Sequence, residues 1–187
     1  MGMGDCNWSL LDGVNQDGLC ASLTFGGRRI TGNGFGIPIV LRYCLEVCTN
    51  TEEAISLLQR VPVHMSYNIT LLDDDLNYAT IYMVPDGQNL VTKHQVGANH
   101  QGEITLSDYA IKTKTVERMT LLENCIFCPS ENHQSTKQKF LQAPLYNTQF
   151  SKAFGTLYTA SYSPLNKSIE LIWPTKRLDT SLENFEN

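Results

Sequence analysis

The sequence has no basic face. Its 14 lysines and arginines are outnumbered by 19 aspartates and glutamates, giving a net charge of -5. The densest cationic stretch, Lys112 to Arg118, is interrupted by Glu117 and helical in pattern. A phosphate backbone is met by clustered cations, so the composition argues against nucleic acid as a partner. Long apolar runs are missing too: Ile37 to Val47 is broken by Arg42 and Glu46, far short of the roughly 20 residues that span a bilayer. That argues against a membrane. The opening, MGMGDC, has neither the basic nor the apolar region of a secretion signal, and Cys6 stands where a myristoylation signal wants Ser or Thr. The cytoplasm is therefore the expected compartment. There, six cysteines read as reduced thiols rather than a disulfide framework, and the sequons at Asn7, Asn68 and Asn166 have no meaning without export. Internal repeats and low-complexity tracts are absent.

What is present is the composition of an ordinary globular chain, 42% hydrophobic and 18% charged. Length predicts one domain, placed at residues 1–174, with a polar, flexible tail over 175–187. Leu19 to Phe25 is a short apolar run bounded by glycines and reads as a buried strand. The stretch Asp12 to Gly18 before it carries turn chemistry. Pro38 opens a helix reaching about Cys48. A second helix follows, with Asn50 as N-cap, Glu53 in the capping-box position and Pro62 as the stop. Three strands come next, Tyr67 to Leu72, Tyr78 to Val84 and Leu90 to Gln95, joined by turns at Asp73-Asp-Asp75 and Pro85-Asp-Gly87, an antiparallel meander. One helix is expected from Ser107 to near Pro129, capped by Ser107 or Asp108, with Ile111, Val116, Met119 and Leu122 as its apolar face. A polar linker, Glu131 to Lys139, precedes a final hairpin of Thr156 to Tyr162 and Ser168 to Trp173. Helices flanking layered antiparallel strands predict an α+β fold.

No cofactor or metal site emerges from these residues. Cys44 with Cys48 and Cys125 with Cys128 sit in apolar surroundings and read as small buried thiols rather than zinc ligands. Asp73 to Asp75 lacks the spaced ligands of a calcium loop, and Gly32 to Gly36 lacks the full dinucleotide-loop spacing.

Five motifs occur in order: Asp12-Gly-Val-Asn-Gln-Asp-Gly-Leu19 with Ser22 to Arg28; Gly34-Phe-Gly-Ile-Pro38 with Leu41-Arg42-Tyr43; Pro62-Val-His-Met65 with Tyr67-Asn68; Ala98-Asn-His-Gln101; and Phe154 to Thr159. Together they cover Gly4 to Pro174 and resemble the acyl-coenzyme A:6-aminopenicillanic acid acyltransferase family and, more distantly, penicillin V acylase and choloylglycine hydrolase. The resemblance implies an αββα sandwich of the N-terminal-nucleophile hydrolase type, of which this chain is the C-terminal part. It implies a self-cleaved cysteine whose thiol attacks an amide or thioester carbonyl, with its own α-amino group, of pKa about 8, as base. Hydrolysis or acyl transfer of a small acyl substrate would follow.

By this resemblance Asn99 matches the family's oxyanion donor, and Arg118 matches the arginine that orients the nucleophile. For Arg118 a helix-surface pairing with a nearby Glu is an equal reading. His64 and His100 lie in the motifs without an assigned role and read as structural histidines. The family's nucleophile precedes the Asp-Gly-Val-Asn turn by several dozen residues, whereas eleven residues precede Asp12 here. The expectation is that the nucleophile segment is missing, because the chain is truncated or because another polypeptide supplies it, or that the chain is a non-catalytic remnant or interaction subunit that self-associates or needs a partner chain. Cys6 is the one cysteine near the start, and removal of Met1 to Asp5 would make it N-terminal, so it stands as a candidate nucleophile. Against it, too little chain precedes Asp12 to build the nucleophile's strand.

Overall fold

The structure, a computed structural model, describes residues 1–152 and 154–185. It opens on a hairpin of β1 (Gly2–Asp5) and β2 (Ser9–Val14), turned where Cys6 and Asn7 take left-handed φ of 53° and 62°. Asp12 to Val14, read above as part of a turn, is thus the end of a strand. The turn begins at Asn15, whose Oδ1 accepts from the N–H of Asp17 and Leu19, and it closes on Gly18 at φ 88°. Asparagine forms such turns readily, and a positive φ suits glycine. The Asn15 Nδ2 donates to the carbonyls of Leu45 and Cys48. It thereby ties the turn to the far end of the first helix.

β3 (Cys20–Phe25), β4 (Tyr67–Leu72), β5 (Tyr78–Met83) and β6 (Leu90–Thr92) extend the hairpin into a six-stranded antiparallel sheet in sequence order. Between β3 and β4 lie α1 (Ile37–Val47), with proline in its first turn, and α2 (Thr51–Leu58). Asn50 caps α2 by accepting from the Glu53 N–H. The Glu53 carboxylate reaches back one residue further than a capping box requires, to the N–H and hydroxyl of Thr49. At the turn between β4 and β5, the buried Asp73 accepts from the N–H of Asn77 and of Thr51, so one carboxylate closes the turn and caps α2.

Strand alternation gives this sheet two different faces. Ala21, Ile69, Leu71, Ile81 and Met83 pack under Leu41, Cys44, Ala54 and Leu58 of the two helices. Each fully buried leucine, isoleucine or methionine there contributes about 1.5–3 kcal/mol. On the opposite face the paired positions form polar rows: Asp12, Ser22, Thr70, Thr80 and Thr92 across five strands, and Thr24, Asn68 and Tyr82 beside them. A slip of one residue would exchange these faces, so the register is fixed.

The polar face is met by a second layer. α3 (Ser107–Thr113), α4 (Thr115–Phe127) and α5 (His133–Lys139) lead through the short β7 (Thr148–Gln149) and β8 (Phe154–Gly155) into a three-stranded sheet. Its strands are β9 (Thr159–Ser163), β10 (Ser168–Trp173) and β11 (Lys176–Ser181), followed by α6 (Leu182–Phe185). The order is β11-β10-β9, and the hydroxyls of Tyr158 and Tyr162 reach across to Asp12 on β2. The fold is a mixed, antiparallel α+β architecture.

Three expectations fail in this layer. The helix expected from Ser107 is broken at Lys114, whose φ of 52° is left-handed, and its cap is Leu106 rather than Ser107 or Asp108. Half of its expected apolar face points outward, with Ile111 76% and Val116 51% exposed, Met119 and Leu122 are half-buried, and Thr113 and Thr115 are buried. Threonine turns inward because both hydroxyls find partners, Thr113 on the Tyr109 carbonyl and Thr115 on His100. The expected linker Glu131 to Lys139 contains α5, started by a reciprocal cap between Asn132 and Ser135. Lastly, Lys176–Ser181, placed by the sequence in the polar tail, pairs with β10, and Arg177 bridges Glu170 and Asp179. The last two residues of that tail lie outside the described residues.

Candidate active site

After β6 the chain crosses the polar face of the sheet as Val96 to Gln101. The Asn68 Nδ2, 1% exposed, donates to the carbonyls of Ala98 at 2.7 Å and His100 at 3.0 Å, and the Thr24 hydroxyl donates to Ala98 at 3.0 Å. Gln101 anchors the end of the segment on the carbonyls of Tyr67 and Met83. Gly27, at φ 75°, passes so close that a Cβ would lie 2.7 Å from the Asn99 carbonyl oxygen. Asn99 is therefore held from below by side chains of β3 and β4 and from the side by a glycine turn.

The Asn99 side chain meets the α3–α4 pair. Arg118 donates from one terminal nitrogen to the Asn99 Oδ1 at 2.9 Å, and the Asn99 Nδ2 donates to the Tyr109 hydroxyl at 3.2 Å. A guanidinium can only donate, so the amide oxygen must face Arg118 and the amide nitrogen must face away. Nδ2 carries two hydrogens, and Tyr109 takes one. The other has no hydrogen-bond partner among the described residues. Next to it, His100 Nδ1 bonds the Thr115 hydroxyl at 2.8 Å and so fixes the first turn of α4, from which Arg118 projects. The break at Lys114 lets Tyr109 and Arg118 address one asparagine from two helix directions.

Burial sets the charge states here. It lowers the basicity of the Arg118 guanidinium, partly offset by Tyr109, and the Arg118 Nε is buried without a partner. It lowers the His100 pKa against the opposing pull of Glu123, favouring the neutral ring. It raises the Tyr109 phenol, so that group stays protonated. The site is thus a fixed amide donor backed by one cation, an arrangement chemically able to stabilise negative charge on a carbonyl oxygen.

Arg118 also lines a cavity of ≈ 400 Å³ between the polar face and β9, with Asp12, Leu23, Leu145 and Tyr158 among its walls. Of the residues singled out from the sequence, Asn99 and Arg118 are brought into direct contact, and Arg118 pairs with Asn99 rather than with a helix glutamate. Cys6 is not brought to them. It sits exposed in the β1–β2 turn with its thiol on the Asp5 carboxylate, which pushes its pKa up. Cys20 is buried below the three-stranded sheet, its thiol pushed up to about 12 by desolvation. His64 donates from Nδ1 to the Gly32 carbonyl, 2.8 Å away, and serves the loop before α1.

Sequence reasoning missed Tyr109, Thr115 and Thr24 as neighbours of the site. The available signal was the polar alternation Ser22-x-Thr24, Asn68-x-Thr70 and Thr80-x-Tyr82, which marks a sheet face too polar to be core.

The model of one protein family, acyl-coenzyme A:6-aminopenicillanic acid acyl-transferase, matches residues 6–178. No curated protein matches the chain.

Proposed function

The chain belongs to the acyl-coenzyme A:6-aminopenicillanic acid acyl-transferase family, and from that premise we propose that it supplies the oxyanion side of an acyl-transfer site of the N-terminal-cysteine type, acting on a small acyl amide or thioester. The single observation that carries this reading is the hydrogen bond from Arg118 to Asn99 Oδ1, which fixes the amide so that Nδ2 keeps one N–H beyond the one given to Tyr109. In the reaction a thiolate adds to the acyl carbonyl, the oxygen gains the charge, and Asn99 donates to it. Collapse expels the amine or thiol and leaves an acyl-enzyme. Water then completes hydrolysis, or an amine completes transfer. The helix–sheet–sheet layering is, in this reading, part of an αββα sandwich.

Among the described residues no cysteine hydrogen-bonds to Asn99 or Arg118, which supports a thiol delivered by another polypeptide segment rather than by Cys6. The same observation favours a second reading, a non-catalytic interaction subunit. A thioester acyl donor and intact-mass measurement separate them. The first reading expects one acyl adduct on a thiol, formed about 10²–10³ times more slowly in Asn99→Ala. Acylation no faster than that of free cysteine leaves the second.

A further inference from the structure

Four of the six cysteines stand in two close pairs, and the fold treats the pairs in opposite ways. Cys44 and Cys48 are buried in the core against the six-stranded sheet, and burial pushes the Cys44 thiol far up. Cys125 and Cys128, expected from the sequence to be buried as well, are not: Cys125 is half-buried and Cys128 is exposed. They stand at the C-terminal end of α4, where Ile126 and Phe127 between them also face outward, so the apolar spacing there belongs to no core. Both cysteines line one cavity of ≈ 520 Å³, with Leu121, Glu131, Lys139 and Pro144 among its other walls.

Cys128 closes α4. Its N–H bonds the Cys125 carbonyl at 3.3 Å, and its ψ of 113° has left the helix. Residues three apart on a helical turn have Cα atoms about 5 Å apart, inside the span of about 4.4–6.8 Å that a disulfide bridges. Their Cβ atoms are about 5–6 Å apart, and the bond wants about 3.5–4.5 Å, so closure needs a movement of roughly 1 Å. Cys128 can supply it without disturbing the helix interior, because it stands past the last helical residue and opens the turn that Glu131 closes on its carbonyl. The two thiols also differ in setting. Cys128 Sγ lies 3.1 Å from the Ser130 hydroxyl, and bonds from Ser130 hold its pKa below the ordinary thiol value. Cys125 lies further in, beside the Lys139 ammonium, whose pKa is raised by Glu131 first and by Cys125 as well.

An exposed thiol that ionises readily, with a second thiol one turn behind it, is the arrangement of an attacking and a resolving cysteine. We propose that Cys125 and Cys128 form a thiol–disulfide exchange site for a low-molecular-weight disulfide, Cys128 attacking and Cys125 resolving. The Cys128 thiolate adds to one sulfur of the disulfide, the S–S bond of that molecule breaks, and one thiolate leaves while the other half stays on Cys128 as a mixed disulfide. Cys125 gives its proton to solvent, its thiolate faced by the Lys139 ammonium, and attacks the Cys128 sulfur. The Cys125–Cys128 bond forms as the mixed bond breaks, and the second thiolate leaves. The chain thereby loses two electrons and two protons, and the small disulfide is reduced to two thiols. The cavity volume of ≈ 520 Å³ lies within the small-ligand range of about 300–1,000 Å³, so the incoming half has room beside both sulfurs. Neither Asn99 nor Arg118 takes part, and the step stands apart from the acyl-transfer reading.

The test incubates the whole reduced chain with oxidised glutathione, quenches with acid, alkylates the remaining thiols and maps the peptides by mass. The expected product is a chain two hydrogens lighter, linked from Cys125 to Cys128, with Cys44 and Cys48 still reduced. Cys125→Ser should stop at the mixed disulfide. Its glutathione adduct on Cys128 should exceed that of the wild type at least about tenfold, because a resolving thiol held in place outcompetes one from solution. A stable glutathione adduct on wild-type Cys128, with Cys125 still open to alkylation, would overturn the proposal, as would a pair left fully reduced. Formation of the link at the same rate in concentrated urea would also overturn it, since the local sequence alone would then account for the reaction. The wild-type measurement needs no variant, so a folding defect in Cys125→Ser leaves it intact.

Discussion

Arg118→Met separates orientation from packing at the site. Methionine keeps much of the aliphatic stem and removes the guanidinium. Two terms then oppose each other in stability. The bond to Asn99 Oδ1, 2.9 Å long and charge-assisted, is of a type worth about 1.5–3 kcal/mol. Against it, the wild type holds a buried Nε without a partner, and an unsatisfied buried donor costs about 1–3 kcal/mol. These nearly cancel, so the urea midpoint should move by the equivalent of about 1 kcal/mol or less. Activity has no such compensation. Without Arg118 the Asn99 amide loses the group that forbids its flip, and the cation that polarises it is gone. In the assembly that supplies the thiol, steady-state hydrolysis of an acyl nitroanilide should fall by about 10²–10³ in kcat, the usual loss for one oxyanion donor. Because both residues act through one hydrogen bond, Arg118→Met combined with Asn99→Ala should be scarcely slower than Asn99→Ala alone. Multiplying effects in the double variant would refute the coupling, as would a rate loss that only tracks unfolding.

Removing the Asn68 amide (Asn68→Ala) leaves the His100 carbonyl without its donor, whereas Ala98 keeps Thr24. The expected cost of about 1–3 kcal/mol is read from denaturant unfolding, with faster amide exchange across residues 96–101; a change under about 0.5 kcal/mol would remove Asn68 from this role. Asp73 is buried, but the N–H groups of Thr51 and Asn77 outweigh desolvation and hold its pKa below the ordinary 3.8. Its stabilisation is present above that value and is lost as pH falls through the lower folded pKa. Urea unfolding from pH 6 to pH 2 should therefore show a decline below about pH 4 that Asp73→Asn lessens. Among the thiols, Cys128 is exposed and its pKa is lowered by Ser130, whereas Asp5 raises that of Cys6 and burial raises those of Cys20 and Cys44. Maleimide at pH 7 should modify Cys128 first and Cys44 last, as read by peptide mapping; early labelling of Cys44 would contradict the packing of α1.

The first half of the chain was legible because its signals are local and agree with one another. Asn50, Pro38 and Pro62 mark helix ends by their own chemistry, and the strand pairs from Tyr67 to Thr92 alternate with turn residues at each reversal. The second half was harder to read because its pattern is inverted. Around Lys114 the apolar side chains face out and the threonines face in, so helical periodicity pointed to the wrong side. A single helix also follows from composition there, since nothing in a lysine announces a left-handed φ. What forces the break is tertiary: Tyr109 and Thr115 each take a partner from the Asn99–His100 segment, and one straight helix would give up one of them.

The same inversion explains how much of the site could be read. Asn99 and Arg118 were singled out through resemblance alone, because nothing local distinguishes a turn asparagine from one with a catalytic role. Their contact could not be read, since it joins a loop after β6 to the first turn of α4. Yet the platform beneath them is written in the strands as alternating Ser, Thr and Asn, four positions of which, Ser22, Thr70, Thr80 and Thr92, line up with Asp12 across the sheet. Core faces are not built that way, because each such group must find a partner when buried. A sheet with one apolar face under helices and one hydroxyl-rich face under a second layer has its chemistry between the layers. Asn99, Arg118 and Asp12 all lie there, and that shared placement, more than any single motif, supports the proposal that Asn99 serves as an oxyanion donor.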